Sequence, residues 1–165
     1  MGRAFVYGDN VNTDVLYPGR HLANPEPEYM RKHALEDLDP AFVSAVKPGD
    51  VVVAGRNFGC GSSREQAVSC LKVSGVNHVV ARSFARIYYR NCVNNGVAPL
   101  VCDEAASRVH AGDELEVDLA GGRIHNRTRS ESYPFEPIPE FLREMLAAGG
   151  LIPWLKTQRA AARVP

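Results

Sequence analysis

Short apolar runs recur along the chain, and most are followed by a stretch with apolar residues at helical spacing. Arg3-Ala4-Phe5-Val6-Tyr7 predicts an opening strand, and Val51-Val52-Val53-Ala54, with no polar position, predicts a strand buried on both faces. A helical pattern from Ser63 to Val73 follows, then a strand at His78-Val79-Val80-Ala81, a helix from Phe84 to Val93, and a strand from Val97 to Val101. Strands separated by helices must pair in parallel, because each helix carries the chain back across the sheet. Glu114-Leu115-Glu116-Val117-Asp118-Leu119 then alternates apolar with polar and turns at Ala120-Gly121-Gly122 into Arg123-Ile124-His125-Asn126, which predicts an antiparallel hairpin. A last helix from Pro139 to Ala148 is expected to stop at Gly149-Gly150. The pattern predicts an α/β fold, a mixed sheet with crossover helices and an antiparallel hairpin. Residues 1–156 are expected as one domain, and the Ala/Arg-rich stretch 157–165 as a flexible tail.

Size supports one core and argues against a two-domain enzyme: 165 residues are 45% hydrophobic and 23% charged. Lys+Arg 19 balance Asp+Glu 19, so no overall field favours nucleic acid or an anionic membrane, and neither is expected as a partner. Any acidic ligand must be caught locally. No apolar run long enough for a bilayer and no leader pattern appear, so a cytoplasmic location is expected. Cysteines at 60, 70, 92 and 102 lack C-x-x-C spacing, so no metal site is expected here, and Cys70, Cys92 and Cys102 are read as buried thiols. Five histidines (21, 33, 78, 110, 125) are scattered without metal-ligand spacing, and all but His21 are read as surface or packing residues.

The chemistry concentrates in Gly55-Arg56-Asn57-Phe58-Gly59-Cys60-Gly61-Ser62-Ser63-Arg64-Glu65, between a buried strand and a predicted helix. A glycine-rich turn lets backbone approach a ligand, and a helix start favours an anion. Ser62 and Ser63 add hydroxyls, and Arg64 adds a planar cation able to grip a carboxylate at two points. The P-loop, the dinucleotide fingerprint and the hydrolase elbow all fail at Arg64 or Glu65. Ser62-x-x-Glu65 also fits a capping box, which accounts for those two residues and not for the rest. Arg86 and Arg90, four apart on one helical face, are read as pairing with carboxylates or covering the sheet end. The connection from Gly8 to Pro27 is long for a compact domain and carries Asn12-Thr13-Asp14 and Arg20-His21-Leu22-Ala23-Asn24.

Three motifs in order, Asn12-Thr13-Asp14, the Gly55 to Glu65 stretch and Ser83-Phe84-Ala85-Arg86-Ile87-x-Tyr89-Arg90-Asn91, resemble the small-subunit family of 3-isopropylmalate dehydratases in the aconitase superfamily. The resemblance runs from about Val6 to Trp154. It implies the swivelling β/β/α domain that forms the last domain of aconitase, and a hydro-lyase active only with a large subunit that carries a [4Fe-4S] cluster. The implied reaction isomerises a 2-hydroxy dicarboxylate or tricarboxylate by dehydration and rehydration, here 3-isopropylmalate and 2-isopropylmalate of leucine biosynthesis. Ser62 matches the family's catalytic base, working as an alkoxide stabilised by helix N–H groups and arginine, while Ser63, Arg64, Arg20 and Asp14 match residues that bind substrate.

This chain departs from the family at two places. Gln66 stands where the family usually has His, and the specificity loop reads His21-Leu22-Ala23-Asn24 where Tyr-Leu commonly opens it. No cation at 23 or 24 awaits a further carboxylate, which weakens homoaconitate. Ala23 and Asn24 are also no obvious isopropyl pocket, so a dimethylmalate or citramalate stays open. Outside enzymes, the alternatives are a non-catalytic module that captures small anions and an RNA-binding role, the latter poorly matched to zero net charge.

Overall fold

A computed structural model describes residues 1–161. In chain order the elements are β1 (Gly2–Val6), α1 (Thr13–Leu16), a 3-10 turn (Gly19–His21), α2 (Pro27–Lys32), α3 (Phe42–Ala45), β2 (Val51–Ala54), α4 (Gln66–Val73), β3 (His78–Ala81), α5 (Arg86–Asn95), β4 (Ala98–Val101), α6 (Asp103–Arg108), β5 (Glu114–Asp118), β6 (Arg123–Asn126), β7 (Glu131–Pro134), α7 (Glu140–Ala147) and α8 (Leu151–Ala161). One seven-stranded sheet has the order β4-β3-β2-β1-β5-β6-β7. β1 lies at its centre, parallel to β2 on one side, with Phe5 opposite Val52, and antiparallel to β5 on the other, with Gly2 opposite Leu115. The parallel half follows from the helical crossovers and the antiparallel half from short turns.

The unbroken apolar run of β2 is explained by its two covered faces. Successive side chains on a strand point to opposite faces. Val52 and Ala54 join Leu16, Tyr17, Phe42, Phe58, Val68, Leu71, Tyr88 and Cys92 in one core. Val51 and Val53 join Ala4, Val80, Leu100, Leu115, Ile124 and Tyr133 in the other. Each fully buried valine contributes roughly 1.5–3 kcal/mol relative to exposure. The first core carries α4 and α5 against the sheet, and this fixes both ends of the glycine-rich turn that joins β2 to α4.

Several boundaries differ from the sequence pattern for identifiable reasons. The helix expected from Ser63 begins only at Gln66, because Ser62 and Ser63 are held by other segments: the Ser62 N–H donates to Thr13 Oγ1 at 3.0 Å, and Asn91 Nδ2 donates to Ser63 O at 3.2 Å. The second helix starts at Arg86 rather than Phe84, since Phe84 bridges to Phe58 in strand fashion. The connection from Gly8 to Pro27 contains α1 and the 3-10 turn. β7 extends the expected hairpin to three strands, and only Tyr133 and its neighbours mark it, so the alternation there was too short to read. Past Gly149 the chain forms α8, which takes in residues 157–161 of the expected tail; residues 162–165 lie outside those described.

Candidate active site

The turn after β2 is clamped from both sides by segments distant in sequence. Gly59 N donates to Val11 O at 2.7 Å, and Thr13 N donates to Cys60 O at 2.9 Å. On the opposite side Phe58 N donates to Ser83 O at 3.0 Å, and Ala85 N donates to Phe58 O at 2.9 Å. The three motifs of the sequence therefore converge on one spot. Gly59 has φ +74°, and a Cβ there would lie 2.0 Å from Tyr88 Cγ, so any other residue would push α5 off the turn. Gly61, at φ +99°, then swings the backbone so that Ser62 and Ser63 face outward, both exposed.

Asn12-Thr13-Asp14 divides the work of holding this turn. The Asn12 side chain caps α1, with Oδ1 accepting from Asp14 N at 2.9 Å and Val15 N at 3.0 Å. The fully buried Thr13 hydroxyl accepts the Ser62 N–H. Asp14 Oδ1 lies 2.6 Å from Arg64 Nη1, an ion pair whose side chains are 58% and 24% exposed. That Nη1 is buried and makes no well-aligned hydrogen bond, so the guanidinium is placed by charge and by the wall of Gly19, where a Cβ would stand 3.4 Å away. Ser62 does not cap α4, and among the described residues its hydroxyl has no hydrogen-bond partner. The capping box is thus not formed, and Gln66 opens α4 at its first turn.

Ser62 opens on a cavity of about 350 Å³ whose other walls are Gly59, Gly61, Ala85, Arg86, Ile87 and Arg90. Arg86 and Arg90 were expected to pair with carboxylates or to cover the sheet end, and only the first is a question of ion pairs. Among the described residues neither meets a carboxylate.

Arg20, matched by resemblance to a substrate-binding residue, already has carboxylate partners in this chain. Its guanidinium grips Asp37 through two bonds, Nη1 to Oδ2 at 2.8 Å and Nη2 to Oδ1 at 2.6 Å, and also meets Glu36, so it braces the loop instead of presenting a free cation. The 3-10 turn at Gly19–His21 aims it toward the acids that follow α2. His21 and His33, read as unrelated, stack at 3.8 Å and share Glu36, with His21 Nε2 at 2.5 Å from Oε1 and His33 Nδ1 at 2.6 Å from Oε2. Tyr29 Oη sits 2.8 Å from His21 Nδ1, so both ring nitrogens of His21 have partners. These three residues are the group of His, Cys, Asp and Glu that comes close enough to hold a metal among those described. Burial would raise the Glu36 carboxyl, but bonds from His33, His21 and Arg20 hold it below the ordinary range. Leu22 packs on the first core, Asn24 Oδ1 accepts from Glu26 N at 3.0 Å, and Ala23 is exposed.

The thiols stand apart. Cys70 and Cys92 lie in one core and Cys102 in the other, while half-buried Cys60 faces Asn10 O. Burial pushes Cys70 up to about 12, and Cys92 and Cys102 upward as well, so none of these three is a ready thiolate ligand. No group of three cysteines converges among the described residues, and this chain's own thiols do not fit an iron–sulfur cluster.

A mixed sheet with a free serine on a glycine turn, beside an arginine held by a carboxylate, defines a domain of the aconitase C-terminal class, and the family model for the aconitase C-terminal domain matches residues 21–105. A 3-isopropylmalate dehydratase small subunit of Caldicellulosiruptor saccharolyticus is 51% identical over 155 residues, 94% of this chain and 90% of that one. Another, small subunit 1 of Archaeoglobus fulgidus, is 49% identical over 98% of this chain and 100% of its own length. The chain belongs to the family of 3-isopropylmalate dehydratase small subunits. A crystal structure of 3-isopropylmalate dehydratase from Methanocaldococcus jannaschii superimposes with a TM-score of 0.92 at 42% identity, covering 98% of this chain and 95% of that one.

Proposed function

We propose that this chain is the single-domain small subunit of a cytoplasmic two-subunit hydro-lyase that interconverts 3-isopropylmalate and 2-isopropylmalate by removing and restoring water, in leucine biosynthesis. The observation that carries this is the uncommitted Ser62 hydroxyl at the mouth of a cationic cavity, next to the Asp14–Arg64 pair. The family's names supply the large-subunit partner. No described helix is long and apolar enough to cross a membrane.

Ser62 takes the proton from the carbon beside the hydroxyl-bearing one and returns it when water is restored at the neighbouring position. A serine hydroxyl is a weak base, so it must act as an alkoxide, and positive charge close by favours that form. With α4 starting at Gln66, that charge comes from guanidinium groups, two of which line the same cavity. Arg64, oriented by Asp14, and Ser63 hold a substrate carboxylate and fix the acidic carbon against Ser62. The [4Fe-4S] cluster expected on the large subunit would supply Lewis-acid chemistry at the substrate hydroxyl. The test is anaerobic reconstitution with the large subunit and a screen of isopropylmalate, citramalate, dimethylmalate and homocitrate. Isopropylmalate should be the preferred acid, and preference for homocitrate would overturn this assignment.

A further inference from the structure

Two imidazoles and a carboxylate meet beside the loop that carries Arg20, and they reach it from segments that no local spacing joins. His21 closes the 3-10 turn, His33 ends α2, and Glu36 lies three residues further on. Their donor atoms all lie within 4.8 Å of one another, and the side chains are 12%, 27% and 25% exposed, shielded for the most part yet reachable from solvent. The rings stack 16° from parallel, and each turns one nitrogen toward a different oxygen of Glu36. Neighbouring side chains hold the cluster in aim. Tyr29 Oη takes the far nitrogen of His21, and Arg20 meets Glu36 Oε1 while gripping Asp37 with both terminal nitrogens, which leaves Oε2 turned to His33. With both imidazoles neutral, Glu36 and Asp37 outweigh Arg20, so the group carries a net negative charge.

We infer that His21 Nε2, His33 Nδ1 and Glu36 Oε2 form a binding site for a divalent cation of the zinc type, which fastens the loop from Arg20 to Asn24 to the end of α2. Imidazole nitrogen with carboxylate oxygen is a donor set such ions take, and three protein ligands leave a fourth position for water. Each ring delivers a lone pair by carrying its one proton on the other nitrogen, so neutral imidazoles release none on binding. For His21 that proton then points at Tyr29 Oη, the outer hydrogen bond that orients a metal-bound histidine. Arg20 keeps its place at Oε1, because the ion takes Oε2. Ligands about 2.0–2.2 Å from one tetrahedral ion sit roughly 3.3 Å from each other. The present contacts of 2.5 and 2.6 Å must therefore open by less than about 1 Å, a distance that side-chain rotation covers. The site uses neither Ser62, Arg64 nor a thiol, and it stands apart from the hydro-lyase assignment. Ala23 and Asn24 follow His21 closely, so an ion at His21 limits how far they swing.

The test titrates the untagged full chain, stripped of metal with EDTA, with zinc chloride by calorimetry and with cobalt chloride by visible absorption. One ion should bind per chain, without a sulfur-to-cobalt band, and about a hundredfold excess over Kd should raise the melting midpoint by roughly 5–10 °C. His33→Ala and Glu36→Gln should each weaken zinc binding by at least about a hundredfold, and Tyr29→Phe by roughly tenfold to a hundredfold, while Cys60→Ser leaves it unchanged. Histidine ring signals of the parent chain, followed by NMR, give a reading that needs no variant. Zinc should move those of His21 and His33 and spare those of His78, His110 and His125. No uptake by the parent, undiminished uptake in His33→Ala or Glu36→Gln, a sulfur-ligated cobalt spectrum, or shifts confined to the other three histidines overturns the inference.

Discussion

The Thr13 hydroxyl accepts the Ser62 N–H at 3.0 Å, which ties a short helix near the start of the chain to the residue proposed as catalytic base. The bond fixes the backbone of Ser62 while leaving its side chain free, the combination a positioned base requires.

Thr13→Val keeps the shape of this buried side chain and removes the acceptor. It should cost about 1–3 kcal/mol of stability, because the hydroxyl's partner is left unpaired, and should lower kcat, whereas Thr13→Ser should retain most of both. Urea unfolding and steady-state kinetics of the complex read the two effects. Equal activity in the Val and Ser variants would show that the bond does not position Ser62.

Ser62→Ala separates catalysis from structure. Since Ser62 caps no helix and its hydroxyl has no partner among the described residues, stability should change by no more than about 0.5 kcal/mol. Turnover should fall roughly 10²–10⁴-fold. A variant within tenfold of the parent would remove Ser62 from the mechanism.

Asp14→Asn and Arg64→Lys probe the ion pair. Asp14 is well exposed, so losing it should alter stability by less than about 1 kcal/mol. KM should nevertheless rise, because the guanidinium loses the group that aims it. Arg64→Lys should raise KM further, since an ammonium cannot make a two-point grip. Kinetics with matched melting curves distinguish aim from folding.

His78 gives the fold a pH dependence of known sign. Burial in β3 pushes its pKa down to about 4 from an ordinary 6.5. Below pH 6.5 the unfolded chain gains a proton that the folded chain refuses, so stability is complete above that pH and falls as pH drops toward 4, by up to about 3 kcal/mol. His78→Gln should flatten the change in urea midpoint between pH 7 and pH 5. The same slope in both proteins would assign the effect to other groups.

Much of this was legible in the sequence because the signals were local. The β2 and β3 runs and the β5–β6 alternation give their strands directly, and the motif residues Ser62, Arg64 and Asp14 do come together. What escaped depends on contacts between distant residues. Ser62 reads as a cap until Thr13 is seen to hold its N–H, and Arg20 reads as free until Asp37 is seen beneath it. His21 and His33 have no metal-ligand spacing, yet the turn after Arg20 and the end of α2 stack them. For Arg86 and Arg90 a usable signal was present: two like charges at helical spacing in a stretch with no acid nearby.

The central place of β1 has a consequence for how the molecule is made. Gly2 and Arg3 find their antiparallel partners only at Leu115 and Glu114, so the first strand in the chain waits for two thirds of the sequence before its second edge is covered. Contacts that far apart slow folding and leave a pairing edge open in the meantime. The strand that joins the two halves of the sheet is therefore also where an incomplete chain is most prone to stick to its neighbours.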